Sequence, residues 1–109
     1  CSSDLAIVDH VTRYYPLDFT LDEIREGYAF DVSCAGSVPQ AMEAFLEAED
    51  FEDALRNAVS IGGDSDTIAS MAGAVAAAFY GIPRSIRDQA LPFIDGEVRN
   101  IYDRFIRRY

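Results

Sequence analysis

The sequence is poor in cysteine and histidine, the residues that most often bind zinc or carry nucleophilic catalysis. It contains two cysteines, Cys1 and Cys34, and one histidine, His10. Two cysteines are too few for a disulfide framework, and no Cys-x-x-Cys pair or Cys/His cluster is present to bind zinc. Because no histidine is placed to activate it, Cys34 is predicted to be a small packed residue. This cysteine usage predicts a reducing, cytoplasmic compartment.

Basic residues are also scarce. Nine Lys and Arg residues stand against 19 Asp and Glu residues, which gives a formal net charge of −10. A chain this acidic repels phosphate backbones, so it is predicted to bind no nucleic acid, and it attracts divalent cations. Most of the basic residues lie near the end of the chain, where they indicate the solvated face of a terminal helix.

The chain also lacks a long hydrophobic run. No run reaches the roughly 20 apolar residues that a membrane span needs, and the first residues lack the pattern of a signal peptide. The length of 109 residues fits a single domain, predicted over residues 1–109. Because the first residue is not Met, we expect this domain to be a piece of a longer protein.

Helical patterns cover most of the chain and no hairpin pattern is present, so the sequence predicts an all-α fold. The clearest helix begins after Asp50, its expected cap, and ends at Gly62 and Gly63, with apolar residues on one face between them. Thr20 and Glu23 have the spacing of a capping box. Further helices are predicted within residues 2–15, 20–26, 37–49, 64–80, 84–96 with a break at Pro92, and 97–109.

The helix predicted at about residues 64–80 differs from the others because residues 68–80 are apolar or small around its whole circumference. Such a helix is expected to be packed on every side. Its alanines and its glycine would let neighbouring helices approach closely. The sequence therefore predicts a compact orthogonal helix bundle around this central helix.

The stretch "GGDSDT" at residues 62–67, directly before the apolar run, has two interpretations. In the first, Asp64 caps the helix and Asp66 interacts favourably with the helix dipole. In the second, Asp64, Asp66 and Thr67 present oxygen ligands to a hard cation such as Mg²⁺ or Mn²⁺. A cation opposes the dipole at a helix N-terminus, so this second interpretation requires more acidic ligands from elsewhere. The spacing fits neither a haloacid-dehalogenase phosphatase motif nor an EF-hand loop.

The segment "GGDSDTIASMAGAVAAAFYGIP", together with "CAGSVPQAMEAFLEAEDFEDALRNAVSIGG" before it, resembles the ADP-ribosylglycohydrolase family. That resemblance implies an all-α fold with a two-metal centre of Mg²⁺ or Mn²⁺. By position, Asp64, Asp66 and Thr67 match the metal ligands of the family's C-terminal half-site. The implied reaction is hydrolysis of the bond between ADP-ribose and a protein side chain or small acceptor.

The chain departs from the family in length and in its N-terminal part. Family members are longer and place further acidic ligands in an N-terminal half, and this sequence does not reproduce that cluster. The resemblance therefore implies a C-terminal portion that is inactive alone and needs the missing segment or a second chain. The alternative is a non-catalytic helical module that binds a partner or ADP-ribose.

The sequence leads to two further expectations, one about nucleotide binding and one about self-association. Tyr28, Phe30 and Ser37 lie where a nucleotide is lined in the family fold, although core packing is the favoured role for the two aromatic residues. A few short helices cannot cover an apolar helix completely, so an exposed apolar patch is predicted to cause self-association into a homo-oligomer.

Overall fold

The computed structural model describes residues 2–109, with side chains from Leu5 onward. Within this part of the chain the structure is all-α, as predicted, and contains no strand. The elements in chain order are α1 (Ser2–Val11), α2 (Leu21–Ile24), α3 (Val38–Leu46), α4 (Phe51–Ser60), α5 (Ser65–Tyr80), α6 (Arg84–Ala90), a 3₁₀ turn (Leu91–Phe93) and α7 (Gly96–Arg108).

Local capping chemistry starts several of these helices where the sequence predicts. The Asp50 side chain accepts a hydrogen bond from the Asp53 backbone N–H at 2.8 Å. The capping box at the start of α2 is present, because the Thr20 hydroxyl accepts from the Glu23 N–H at 3.3 Å and the Glu23 carboxylate accepts from the Thr20 N–H at 3.1 Å. Ser37 precedes α3 but makes no cap bond with its side chain.

The core lies between α3, α4 and α5. Six alanines in these helices are fully buried: Ala41, Ala44, Ala54, Ala58, Ala72 and Ala76. Because their side chains are small, the three helices approach one another closely. Larger side chains, including Phe45, Ile68 and Leu21 of α2, are also fully buried in this core.

The central helix α5 is not packed on every side, which corrects the expectation drawn from its composition. Ile68, Ala72 and Ala76 face the core, but Ala74 and Ala78 are exposed. Small apolar residues do not by themselves require burial, and the surrounding helices cover only one side of α5.

The terminal helix α7 leaves its apolar stripe largely exposed. Val98, Ile101, Phe105 and Ile106 each have between 45% and 58% of their surface exposed. These four residues form the α7 stripe, and Tyr102 on the same helix is only partly buried. The structure thus contains an exposed apolar surface of the predicted kind, although the predicted patch was to lie on the central helix.

In the described part of the chain, no helix combines the length and the apolar character that crossing a lipid bilayer requires.

Candidate functional site

The junction between α4 and α5 holds the "GGDSDT" stretch. Ile61 follows α4 and is buried, which fixes the end of the helix in the core. Gly62 and Gly63 then adopt positive φ angles of 82° and 64°. These left-handed conformations are readily available only to glycine, and they turn the chain so that α5 starts at the edge of the core.

Gly63 is also required by a close approach from another part of the chain. A Cβ atom at this position would lie 2.4 Å from Cε1 of Tyr28. The Tyr28 ring therefore lies directly against the backbone that leads to Asp64. The paired glycines predict that another segment or a ligand comes close to the backbone here, and at Gly63 the structure shows a segment, residues 28–29. Gly62 has no such neighbour.

Asp64 occupies the cap position of α5, but its side chain makes no capping hydrogen bond. The first interpretation of this residue, that it caps the helix, is therefore wrong. The local geometry gives the reason, because Asp64 has φ −80° and ψ 62° rather than the extended backbone of the working caps Asp50 and Asp95. Asp64 is a half-buried residue, and its carboxylate is not used to hold the helix start.

The two aspartates of the stretch lie close enough to affect each other's ionisation. The hydrogen bond with Asp66 is the main cause that raises the pKa of Asp64, and the Thr67 hydroxyl partly opposes this rise. The pKa of Asp66 is lowered, first by that hydrogen bond and then by the Thr67 N–H, which donates to its Oδ1 at 2.9 Å. Asp64, Asp66 and Thr67 thus form one cluster of oxygen atoms at the tip of α5.

This cluster does not form a complete metal site by itself. Carboxylate and hydroxyl oxygens are suitable ligands for Mg²⁺ or Mn²⁺. Within the residues that the structure describes, however, no group of three or more His, Cys, Asp or Glu side chains is placed to hold a metal ion. The donors that are present fit a hard cation in type, and their number is too small for a complete site.

A cavity of about 440 Å³ lies beside this cluster. Its wall includes Tyr28, Phe30, Asp31 and Gln40. Tyr28 links the cavity to the cluster, because burial, then Asp31, then Asp64 raise the pKa of its phenol. The Tyr28 hydroxyl donates to the Gly36 carbonyl oxygen. Phe30 is 67% exposed, so it is not a core residue.

Ser37, the third residue considered for nucleotide binding, is not part of the cavity wall. It is 5% exposed, and its hydroxyl donates to the Ser33 carbonyl oxygen at 2.7 Å. Its hydroxyl therefore supports the turn before α3. The preceding Cys34 is exposed, which contradicts the prediction that it is packed.

Sequence reasoning missed Asp31 and Gln40. Asp31 Oδ1 accepts from the Ser33 N–H at 2.8 Å and from the Ser33 hydroxyl at 2.6 Å, and both bonds lower its pKa. The spacing of this Asp and Ser two residues apart is typical of an Asx turn and could have indicated it. Gln40 Oε1 is buried and has no hydrogen-bond partner within the described part of the chain. No sequence signal marks that unpaired acceptor.

Comparisons with known proteins identify the family of this chain. The family model for ADP-ribosylglycohydrolase matches residues 3–109. The chain therefore belongs to the ADP-ribosylglycohydrolase family.

Curated relatives give the same family. The chain is 34% identical over 74 residues to ADP-ribosylhydrolase ARH3 of Homo sapiens, covering 58% of this chain and 20% of that protein. It is 36% identical over 76 residues to ADP-ribosylhydrolase ARH3 of Mus musculus, covering 57% of this chain and 20% of the relative. The chain thus spans about a fifth of the length of these relatives. No solved structure matches it significantly.

Proposed function

We propose that this chain is the C-terminal portion of a metal-dependent ADP-ribosyl hydrolase and supplies half of its metal ligands. One observation carries the proposal. Asp64 stands at the start of α5 with Asp66 and Thr67 beside it, and its carboxylate makes no capping bond. The Asp64 carboxylate does not cap its helix, and a second carboxylate raises its pKa. Cation binding explains the presence of such a group better than helix stability does.

Each residue of the cluster has a role in this proposal. Asp64 and Asp66 would bind Mg²⁺ or Mn²⁺ through carboxylate oxygens, and Thr67 would add its hydroxyl oxygen. Bound metal ions at such a centre orient ribose hydroxyls and lower the pKa of an attacking water. The tip of α5 lies at the edge of the core, so its ligands can meet those of another segment.

The cavity beside the cluster is the proposed place for part of the ADP-ribose. Tyr28 and Phe30 offer aromatic surface, and the buried Gln40 Oε1 offers an acceptor that has no partner. A ligand hydroxyl or amino group would satisfy this acceptor, whose burial without a hydrogen bond is costly. Ser37 is not proposed to touch the ligand, because its hydroxyl already bonds to Ser33.

Catalysis is proposed to require more than these 109 residues. The remaining acidic ligands would come from an N-terminal segment of the same protein or from a second chain, and the chain alone is expected to be inactive. We place the protein in the cytoplasm because it has few cysteines and no disulfide framework.

The alternative is a non-catalytic module that binds ADP-ribose or a partner protein. The incomplete set of metal ligands in the described residues favours this alternative. The two proposals differ in whether the aspartates of the stretch matter for binding, because a metal-free module would hold ADP-ribose mainly through its cavity.

Calorimetry distinguishes the two. Mn²⁺ and then ADP-ribose are titrated into the chain, into the variant Asp64→Asn/Asp66→Asn, and into the control Asp88→Asn/Glu97→Gln, which removes the same charge at exposed sites. The proposal predicts Mn²⁺ binding and Mn²⁺-enhanced ADP-ribose binding in the parent and control, with both lost in the Asp64/Asp66 variant. ADP-ribose binding that needs neither Mn²⁺ nor the aspartates would support the alternative.

A further inference from the structure

An apolar groove lies near the other end of α5 from the metal ligands. It has a volume of about 300 Å³ and is formed by α4, the segment after α5, α6, the 3₁₀ turn and Tyr102 of α7. Since α5 extends over 16 residues at 1.5 Å per residue, its two ends are roughly 24 Å apart. The groove is therefore separate from the proposed ADP-ribose site.

The wall of the groove is almost entirely hydrocarbon. Phe51 and Leu55 of α4 form one side, and Ile86 of α6 and Leu91 of the 3₁₀ turn form the other. Phe51 is buried in the core, so this side is held by the bundle itself. Pockets for small molecules range from about 300 to 1,000 Å³, so this groove suits a small ligand.

One charged residue borders this apolar wall. Arg87 of α6 lines the groove, and its Nε atom is buried with no hydrogen-bond partner among the side chains and backbone that the structure describes. Its side chain makes no ion pair with the other residues that the structure describes, although the chain carries 19 acidic residues. A buried guanidinium N–H without an acceptor destabilises the folded chain, because the group has lost its contact with water and gained no hydrogen bond in exchange. The groove therefore combines apolar surface with a buried Arg87 N–H that lacks an acceptor. An anionic group could accept its hydrogen bond.

We propose that this groove binds a small amphiphilic carboxylate, with its hydrocarbon chain against Phe51, Leu55 and Ile86 and its carboxylate on Arg87. Charge selects this ligand over a neutral or cationic one, because Arg87 is the only charged residue of the wall. Burial of the hydrocarbon chain supplies most of the affinity, and the charge-assisted hydrogen bond fixes the orientation. A bound ligand would also connect α7 to α4 through Tyr102.

The probe is octanoate, measured by calorimetry with the 109-residue chain, beside octanol and octylamine. The parent is expected to bind octanoate at one saturable site. It is expected to bind octanol and octylamine with an affinity at least about tenfold lower. Arg87→Met keeps the aliphatic stem and is expected to lose about tenfold in octanoate affinity. Ala90→Phe fills the groove from an exposed wall position and is expected to abolish binding.

Arg84→Met is the matched control, because Arg84 lies on the same helix and is exposed outside the groove. It is expected to bind octanoate like the parent. Equal affinity for octanol and octanoate, or an equal loss in both arginine variants, would overturn the proposal. A folded parent that binds no octanoate would overturn it too, including the case in which light scattering shows a dimer that Ala90→Phe dissociates.

Discussion

Asp50 and Asp64 hold the same position at the starts of consecutive helices but use their carboxylates differently. Asp50 accepts a hydrogen bond from the Asp53 N–H at 2.8 Å, whereas Asp64 makes no such bond. The carboxylate of Asp64 instead interacts with Asp66 and Thr67. At the scale of single residues, this difference separates an aspartate needed for stability from one available for a ligand.

This difference predicts unequal effects on stability. Asp50→Ala is expected to lower the free energy of unfolding by about 1 kcal/mol, because it removes a working cap. Asp64→Ala is expected to change it by less than about 0.5 kcal/mol, since there is no cap bond to lose and a neighbouring carboxylate is relieved. Urea unfolding followed by circular dichroism measures both. An equal loss in the two variants would show that Asp64 caps α5 after all.

A second carboxylate pair lies on α3. Burial, followed by a hydrogen bond and charge repulsion from Glu47, raises the pKa of Glu43 to about 7 from its ordinary value near 4.5. Glu47 also accepts a hydrogen bond from the Leu21 N–H at 2.9 Å, so the pair lies where α2 is attached to α3.

Stability is therefore expected to depend on pH near this pair. The folded chain holds a proton on Glu43 more tightly than the unfolded chain, so the free energy of unfolding should fall as the pH rises from about 4.5 to about 7. Glu43→Gln should weaken this dependence, and should stabilise the chain at pH 8 by less than about 1 kcal/mol because the site is partly screened by solvent. Thermal melts across this pH range compare the two. An unchanged pH dependence in the variant would contradict the assignment to Glu43.

At the scale of secondary-structure elements, the turn between α4 and α5 determines where the proposed metal ligands lie. Gly62 and Gly63 both adopt a left-handed backbone conformation. Of the two, only Gly63 lies against another described segment, at the ring of Tyr28. The contact places the wall of the cavity against the start of α5. Substitution of the two glycines should therefore have different consequences.

Gly62→Ala is expected to cost about 1 kcal/mol of stability, the strain of a left-handed alanine with open space around its Cβ. Gly63→Ala is expected to cost about 2 kcal/mol or more, because it adds a clash with Tyr28 to similar strain. It should also weaken any ADP-ribose binding, since the Tyr28 segment must move. Chemical denaturation and ligand titration test this. Equal costs for the two variants would mean that the Tyr28 contact is not maintained in solution.

How far the sequence predicts these elements depends on the range of the interactions that form them. Three features depend on neighbours within a few residues: the caps at Asp50 and Thr20, and the end of α4 just before Gly62. All three were predicted. The Tyr28 contact with Gly63 joins positions far apart in the chain, so the sequence predicted only that something would approach.

The uneven burial of α5 and the exposure of Cys34 could not be predicted for a similar reason. Composition shows that a helix tolerates burial, but the arrangement of its neighbours decides which face is covered. At the candidate site, the residue types of Asp64, Asp66 and Thr67 predict a set of oxygen ligands, and the structure shows that the three side chains interact. The failure of Asp64 to cap its helix depends on backbone angles and became visible only in the structure.

At the scale of the whole molecule, two surfaces are incompletely covered: the outer face of α5 and the α7 stripe. The exposed residues along α5 are mostly small, such as Ala74 and Ala78, and Phe79 and Tyr80 at its end are less exposed than the large side chains of the α7 stripe, such as Ile101 and Phe105. The α7 stripe therefore presents the larger apolar side chains to solvent. Exposed contiguous apolar surface of this kind favours association.

The chain is expected to self-associate through the α7 stripe as its concentration rises. Phe105→Glu, in the centre of the stripe, should shift it towards monomer, whereas Asn100→Glu adds the same charge at a polar position of the same helix and should have little effect. Light scattering over a range of concentrations measures the mass. A parent chain that stays monomeric throughout and binds no apolar-surface dye would refute this prediction.

The central claim, that Asp64, Asp66 and Thr67 form a metal half-site, is tested most directly by paramagnetic line broadening with Mn²⁺. Even weak binding broadens the amide signals of residues near the ion, so the method locates the site. The account predicts selective broadening of residues 64–68 that disappears in Asp64→Asn/Asp66→Asn. Broadening centred instead on the acidic surface of Glu49, Asp50 and Glu52, or unchanged in that variant, would contradict it.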